Sequence, residues 1–161
     1  MTVITLSSAE LTQIGVAGVM RRVSAINKKR QPQHGIGPER EWQADIEGLI
    51  GEYVLAKYMD RFWSPTVGHL DKEGGDVTGY QVRATAWNRG YLLLNKGDAD
   101  EDYFFLVTGD NTVGLNWTVR GWIQGIDGKL DCYWESKQKD RWCYFVPQSA
   151  LESMDSLPVA A

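Results

Sequence analysis

The chain of 161 residues is long enough for one domain with a substantial hydrophobic core and leaves little room for a second. Its net charge of −4 argues against a protein that grips DNA through a basic coat over its whole surface. The absence of an apolar run of about 18 residues argues against a membrane span, and the two cysteines match no zinc-ligand pattern. The N-terminus does not resemble a signal peptide, so the cytoplasm is the expected location.

The N-terminal part of the sequence predicts two long helices. Ser7 or Ser8 can cap the first, which we expect over Ala9–Lys29 because its apolar residues recur at roughly helical spacing. Pro38 suits the first turn of the second, which we expect over Glu39–Phe62. Glycines inside both helices reduce intrinsic helix stability, so they indicate close approach of another backbone or a ligand.

A basic strip lies at the end of the first helix and just beyond it. Its five cations are Arg21, Arg22, Lys28, Lys29 and Arg30. The strip has two interpretations. It could contact nucleic acid, or it could be a solvated helix end, where cations are favoured by the helix dipole.

Short strands separated by Gly, Asp and Asn turn signals are predicted in the rest of the chain. The expected strands cover residues 76–87, 91–94, 103–107, 116–123 and 142–146. The third is continuously apolar, which is typical of a central strand. A short closing helix is expected over 148–154, and a flexible tail over 155–161.

This order of elements predicts an α+β or α/β fold in a single domain spanning residues 1–154. We expect a central mixed sheet of about five strands, largely antiparallel, with the two long N-terminal helices packed on it.

Four polar residues form the candidate site. Gln81 and Arg83 stand two apart on a predicted strand, so they face the same side, and Asp76 precedes the bend before that strand. A carboxylate and an amide oxygen can hold a hard divalent cation, while a cationic side chain can stabilise phosphate charge. Glu52 lies on one flank of the apolar stripe of the second helix, and Glu47 lies on the other, so Glu52 is the preferred acid.

The pattern of these residues resembles a known family. The helix reads Gly-Glu-x-x-apolar-Ala-x-Tyr-apolar over residues 51–59, the pair Gly75-Asp76 follows, and Gln81-Val82-Arg83 completes the pattern. This arrangement resembles the PD-(D/E)XK nuclease superfamily, above all small members such as the archaeal Holliday-junction resolvases and restriction-endonuclease-like phage proteins. The resemblance covers roughly residues 47–107. Gly121-Trp122-Ile123 and the closing Tyr-Phe-Val-Pro also resemble short phage proteins, which implies a phage origin.

The resemblance implies a restriction-endonuclease-like core and specific roles for the four residues. Glu52, Asp76 and Gln81 would bind Mg²⁺ or Mn²⁺, and Arg83 occupies the position of a lysine that assists the attacking water. Two positions depart from the common pattern. Gln81 is neutral, and Arg83 stays protonated, so it can clamp a phosphate but is a poor proton shuttle.

Three functional hypotheses remain open on the sequence alone. The first is a divalent-metal-dependent nuclease acting on DNA, with further nucleic-acid contacts from Arg83, Lys57, Arg89 and His34. The second is a catalytically inactive protein of the same fold that binds nucleic acid or a host protein as a modulator or anti-defence factor. The third is an assembly protein that forms a homodimer through the helix containing two glycines, at positions 15 and 18. The same four site residues could also be an ordinary turn cap, a solvated helix position and the polar face of an edge strand.

Overall fold

The computed structural model describes residues 2–30, 37–65, 76–77, 79–138 and 141–158. In this part of the chain there are two long helices, α1 (Ser8–Asn27) and α2 (Glu41–Tyr58), and a single helical turn, α3 (Gly125–Gly128). The strands are β1 (Thr2–Thr5), β2 (Gln81–Thr85), β3 (Leu92–Leu94), β4 (Tyr103–Thr108), β5 (Asn116–Gln124), β6 (Trp134–Gln138) and β7 (Arg141–Val146).

The two long helices begin and end for local reasons. Ser7 caps α1 as predicted, because its hydroxyl accepts from the Glu10 backbone N–H at 3.2 Å and the Glu10 carboxylate accepts from the Ser7 N–H at 2.6 Å. A 3₁₀ turn, Pro38–Arg40, leads into α2. The second helix ends four residues before the predicted end, and Asp60 adopts a left-handed backbone with φ of 53° just after it.

The strands form two sheets rather than the single sheet that we expected. One has the order β1-β5-β4-β2, with β2 and β4 parallel and the other pairs antiparallel; the other is antiparallel, with the order β3-β7-β6. The reason lies in β4, which is apolar on both faces. Phe105 and Val107 face one core and Phe104 and Leu106 face another, so each face of the sheet needs its own covering layer.

The helices and the small sheet are those two covering layers. On one side, α2 packs on the four-stranded sheet through Leu49, Ile50 and Val54, and α1 packs against α2. On the other side, Leu92 and Leu94 of β3 and Val146 of β7 complete the second core. The mixed α+β architecture with mostly antiparallel strands is therefore confirmed, while the restriction-endonuclease-like core stays a prediction.

Several smaller features differ from the sequence-based expectation. Strands β1 and β6 were not predicted, because the first is short and the second reads Trp-Glu-Ser-Lys-Gln with little alternation. The expected closing helix is replaced by two 3₁₀ turns, Gln148–Ala150 and Met154–Ser156, and Leu157 packs against the main core. Among the described residues, no helix combines the length and the apolar character needed to span a bilayer.

Candidate functional site

Glu52 owes its place beside the sheet to the glycine before it. A Cβ built on Gly51 would lie 2.5 Å from the Cβ of Ala84 and 3.2 Å from Cγ1 of Val82, both on β2. Only a residue without a side chain allows α2 to approach the strand this closely. The close contact expected from the sequence thus exists at Gly51, where the partner is strand β2. It does not exist at Gly48, where a Cβ would meet only Nη1 of Arg21 at 3.8 Å.

The carboxylate of Glu52 is buried, and one of its two oxygens accepts a hydrogen bond from a described residue. Its side chain is 4% exposed, and Oε1 accepts a hydrogen bond from Nη1 of Arg21 at 3.0 Å. Oε2 is buried without a hydrogen-bond partner among the described residues, and the same is true of Nε1 of Trp63. The indole stabilises the charged carboxylate slightly, although the two groups do not reach hydrogen-bond geometry. A buried oxygen left without a donor is costly, so its presence marks a site that merits a functional explanation.

Asp76 is fixed at the open edge of β2. Its Oδ2 accepts from the Val82 N–H at 2.8 Å, and its own N–H donates to the Tyr80 carbonyl at 2.7 Å across a tight bend. β2 is the last strand of its sheet, so no other strand in the described part of the chain pairs with this edge. The Asp76 charge acts electrostatically on Glu52, so the two acids lie in the same region of the structure. We refer to Glu52 and Asp76 as the helix-side pair.

The environment shifts the titration of Glu52 towards neutrality. Burial raises the pKa of Glu52 to about 7, the Arg21 guanidinium opposes that shift, and the Asp76 carboxylate adds to it. The carboxyl is therefore about half protonated near pH 7. A cation bound beside Glu52 would favour the ionised carboxylate, whereas a proton bound to the same group neutralises it.

Arg83 lies on the opposite face of β2 from the helix-side pair. Its Nη2 donates to Oδ2 of Asp98 at 3.1 Å and its Nε donates to the Leu93 carbonyl at 3.2 Å. The guanidinium carbon also stands 5.2 Å from the ring centre of Phe104. These contacts hold the arginine against the loop between β3 and β4.

Gln81 shares this face, because alternate residues of a strand point to the same side. Its Nε2 donates to Oδ2 of Asp102 at 3.4 Å, from the same loop. Gln81, Arg83, Asp98 and Asp102 form what we call the sheet-side cluster. Val82, between the two motif residues, points to the helix side and is buried in the main core. The four predicted site residues are thus divided by the strand into two groups.

The remaining predicted nucleic-acid contacts are scattered. Lys57 donates to both carboxylate oxygens of Glu10, at 2.8 and 2.9 Å, and to the Thr5 carbonyl at 3.1 Å. Arg89 is exposed in the turn after β2. His34 lies outside the described residues.

Two residues of the basic strip form ion pairs within the chain. Arg21 binds Glu52, and Arg22 is buried against Glu41 and Asp45, with Nε 2.6 Å from Oδ2 of Asp45. These two arginines therefore hold α1 on α2, as buried ion pairs with carboxylates of the second helix.

Four residues that the sequence did not assign to the candidate site contact the predicted ones. Arg21 and Trp63 surround Glu52, and Asp98 and Asp102 hold the sheet-side cluster. The acidic turn before β4 is visible in the sequence and could have suggested partners for Arg83. The ion pair between Arg21 and Glu52 joins residues 31 positions apart, so no local pattern announces it.

A divalent cation would find part of its expected ligand set on the helix side. The orphaned Oε2 of Glu52 and the carboxylate of Asp76 are hard oxygen donors of the type that Mg²⁺ and Mn²⁺ prefer. Gln81 lies on the other face of the strand and is held by Asp102. Within the described residues, no group of three or more His, Cys, Asp or Glu side chains is arranged to hold a metal ion. Of the predicted ligands, Glu52 and Asp76 are therefore the two that would hold such a cation on the helix side.

Comparison of the chain with family models, with curated proteins and with solved structures gives no significant match.

Proposed function

We propose that the chain is a divalent-metal-dependent phosphodiesterase that acts on DNA, with the helix-side pair as its cation site. One observation carries the proposal: among the described residues, a buried Glu52 oxygen has no donor within hydrogen-bond geometry, and the charge of Asp76 acts on the same carboxylate. Such an arrangement costs stability unless a cation or a proton compensates it. The resemblance of Glu52 and Asp76 to the acids of the PD-(D/E)XK pattern supports the same activity, although Gln81 and Arg83 lie on the other face of β2.

The protein side chains have distinct tasks in this proposal. Arg21 holds Oε1 of Glu52 and so orients the carboxylate, while the backbone N–H of Val82 holds one oxygen of Asp76. When bound, the cation supplies Lewis-acid polarisation of a phosphoryl oxygen and a water of lowered pKa. The edge of β2 next to Asp76, which pairs with no described strand, is the side from which a phosphodiester would approach.

Cleavage assays with matched variants test the proposal. We expect the full chain to cut single-stranded, duplex or branched DNA when Mg²⁺ or Mn²⁺ is present, and to lose the activity with EDTA. Asp76→Asn keeps an acceptor for the Val82 N–H but removes the charge, so we expect cleavage to fall by about 100-fold or more. The control is Asp110→Asn, at an exposed turn position.

The proposal fails if none of these substrates is cut with either ion, or if Asp76→Asn cuts as fast as the Asp110→Asn control. Melting curves of both variants establish that any loss of cleavage occurs in folded protein.

A second candidate function is binding without cleavage by the same fold. The observation that favours it is the position of Arg83, whose guanidinium is engaged by Asp98 on the face away from the two acids. This candidate is distinguished by DNA binding that persists in EDTA and is not followed by cleavage in Mg²⁺ or Mn²⁺. Cleavage that depends on Asp76 would exclude it.

A further inference from the structure

A cleft of about 400 Å³ lies between the C-terminal end of β5 and the segment that follows β7. We call it the C-terminal cleft, and the residues that line it include Tyr103, Trp122, Asp127, Tyr133 and Glu152. A volume of this size lies in the range of sites for small ligands. Among the described residues that line it, none belongs to the helix-side pair or to the sheet-side cluster. The cleft is therefore a place for a ligand other than the phosphodiester.

Backbone hydrogen bonds join the two sides of the C-terminal cleft. The Trp122 N–H donates to the Glu152 carbonyl at 3.1 Å, and the Glu152 N–H donates to the Trp122 carbonyl at 2.8 Å. The indole N–H of Trp122 donates to the Ser153 carbonyl at 2.9 Å. Gly121 permits this approach, because its φ is 146° and a Cβ there would lie 2.4 Å from the Glu152 carbonyl oxygen. The walls are thus fixed by the fold itself, before any ligand binds.

Three aromatic side chains, Tyr103, Trp122 and Tyr133, line the C-terminal cleft. The ring centres of Tyr103 and Trp122 lie 5.3 Å apart, with the ring planes inclined at 55°. Because the Trp122 indole N–H is already bonded to Ser153, its ring offers a ligand carbon surface and π electrons rather than a donor. The face of an aromatic ring attracts a cation within about 6 Å of its centre. The rings therefore suit a ligand that combines positive charge with carbon.

The charged side chains that line the C-terminal cleft are both acidic, Asp127 and Glu152, in the part of the chain that the structure describes. Neither carboxylate has an ion pair or a hydrogen bond with a described residue. Lys129 is the cation nearest to Asp127 in the sequence, but it donates to the Asp98 carbonyl and, at 2.6 Å, to Oδ1 of Asp100. A phosphate or a nucleic acid would meet like charge in the cleft, whereas a cation would gain ion pairs.

We propose that the C-terminal cleft binds a small organic cation, a guanidinium or ammonium group carried on an aliphatic stem. Asp127 and Glu152 pair with the charged group, and the rings of Tyr103, Trp122 and Tyr133 contact the group and its stem. An inorganic divalent ion would use the two carboxylates but gain nothing from the three rings, so the organic cation fits the whole lining. Such a group belongs either to a free small molecule or to a basic side chain of another protein.

Titration of n-butylguanidinium into the full ¹⁵N-labelled chain at low salt tests the proposal by NMR. We expect saturable shifts of the amide signals of Trp122, Asp127 and Glu152 and of the Trp122 indole signal, with a dissociation constant below about 1 mM. The matched ligand is n-butylurea, which has nearly the same shape but no charge, and it should bind at least about tenfold more weakly.

A variant that combines Asp127→Asn with Glu152→Gln tests the role of the two charges. Both side chains are exposed, and the hydrogen bonds between Trp122 and Glu152 use backbone atoms, so we expect the variant to fold. It should bind n-butylguanidinium at least about tenfold more weakly than the original chain. The control is Asp110→Asn, an exposed position in the loop between β4 and β5 that does not line the cleft, and it should bind like the original chain.

A second ligand distinguishes the two sources of the cation. N-acetyl-arginine methylamide presents the guanidinium as a protein side chain would, so tighter binding than that of n-butylguanidinium identifies a basic side chain as the ligand, and weaker binding identifies a free cation. The proposal is overturned if no saturable shift occurs up to about 10 mM n-butylguanidinium, or if n-butylurea binds equally well. Equal affinity of the doubly substituted variant and the Asp110→Asn control overturns it as well.

Discussion

Helix α2 carries two buried glutamates whose surroundings differ. Glu47 is 5% exposed, and its carboxylate accepts from the Ala86 backbone N–H at 3.2 Å and from the Gln43 amide. Glu52 is 3% exposed, yet among the described residues one side chain, Arg21, donates a hydrogen bond to it and its other oxygen has no donor. Helix α2 therefore contains one carboxylate, Glu47, that stabilises the fold through its hydrogen bonds, and another, Glu52, whose burial reduces the stability of the fold.

The difference shows that burial alone does not identify a functional acid. Glu47 accepts a hydrogen bond from the Ala86 N–H, the first backbone donor beyond the end of β2. This hydrogen bond is a sufficient reason for the burial of Glu47. Among the described residues, no backbone N–H donates to Glu52, and the charge of Asp76 acts on its carboxylate. An acid that is buried, incompletely bonded and close to a like charge is the better candidate for binding a cation.

The largest expected effect comes from Glu52→Gln at pH 8. A pKa raised from its ordinary 4.5 to about 7 corresponds to as much as about 3 kcal/mol of lost stability once the group is ionised. The neutral amide avoids that cost, so we expect the free energy of unfolding to increase at pH 8. Urea unfolding at several pH values measures it.

The dependence on pH gives the sign of this effect. The folded chain binds the Glu52 proton more tightly than the unfolded chain, so stability should fall as pH rises from about 5 to 8. The difference between Glu52→Gln and the original chain should be small at pH 5 and largest at pH 8. A difference that is equal at both values would show that Glu52 does not titrate in this window.

Gly51→Ala should be the next largest effect, with about 2–3 kcal/mol of destabilisation. The new methyl would overlap the Cβ of Ala84 and push α2 away from β2. Gly48→Ala is the matched control, since its Cβ would meet only Nη1 of Arg21 at 3.8 Å. The control should gain up to about 1 kcal/mol from better helix propensity. Equal effects of the two substitutions in urea unfolding would mean that the helix does not rest on β2 at Gly51.

Glu47→Gln should destabilise the chain by about 1 kcal/mol at pH 8, because charge-assisted hydrogen bonds become neutral ones. Its sign is opposite to that of Glu52→Gln, although both changes replace a buried carboxylate by an amide on the same helix. Thermal unfolding of the two variants side by side measures the contrast. Stabilisation by both substitutions would remove the distinction between the two glutamates.

Arg83→Lys should have the smallest effect, a loss of up to about 1 kcal/mol. Lysine can still pair with Asp98 but cannot also donate to the Leu93 carbonyl and stack on Phe104. Thermal unfolding measures the loss, and DNA cleavage by the same variant reports on function. Cleavage that rises in Arg83→Lys would place this residue in the reaction, against its position in the sheet-side cluster.

The sequence was sufficient for features that depend on local patterns. The cap at Ser7, the two long helices, the central character of β4 and the close contact at Gly51 all follow from spacing or residue type. The division into two sheets was not predictable in the same way. It depends on which distant layer covers each face of β4, and β3 pairs with β7 across about fifty residues of chain.

The sequence pointed to the residues of the candidate site but did not predict how they are arranged around β2. Alternation along β2 correctly places Gln81 and Arg83 on one face. The alternation does not indicate on which face of β2 helix α2 packs. Because α2 lies on the Val82 side, Glu52 is separated from Gln81 and Arg83. The long-range ion pairs of Arg21 and Arg83 fix which carboxylates are satisfied, and such pairs leave no periodic signal in the sequence.

Calorimetric titration of Mn²⁺ into the full chain at pH 8 tests the helix-side pair as a cation site most directly. We expect binding to the original chain and to Glu47→Gln, and binding at least about tenfold weaker to Glu52→Gln and to Asp76→Asn. Equal Mn²⁺ affinity in all four proteins, or no binding up to millimolar concentration, would contradict it.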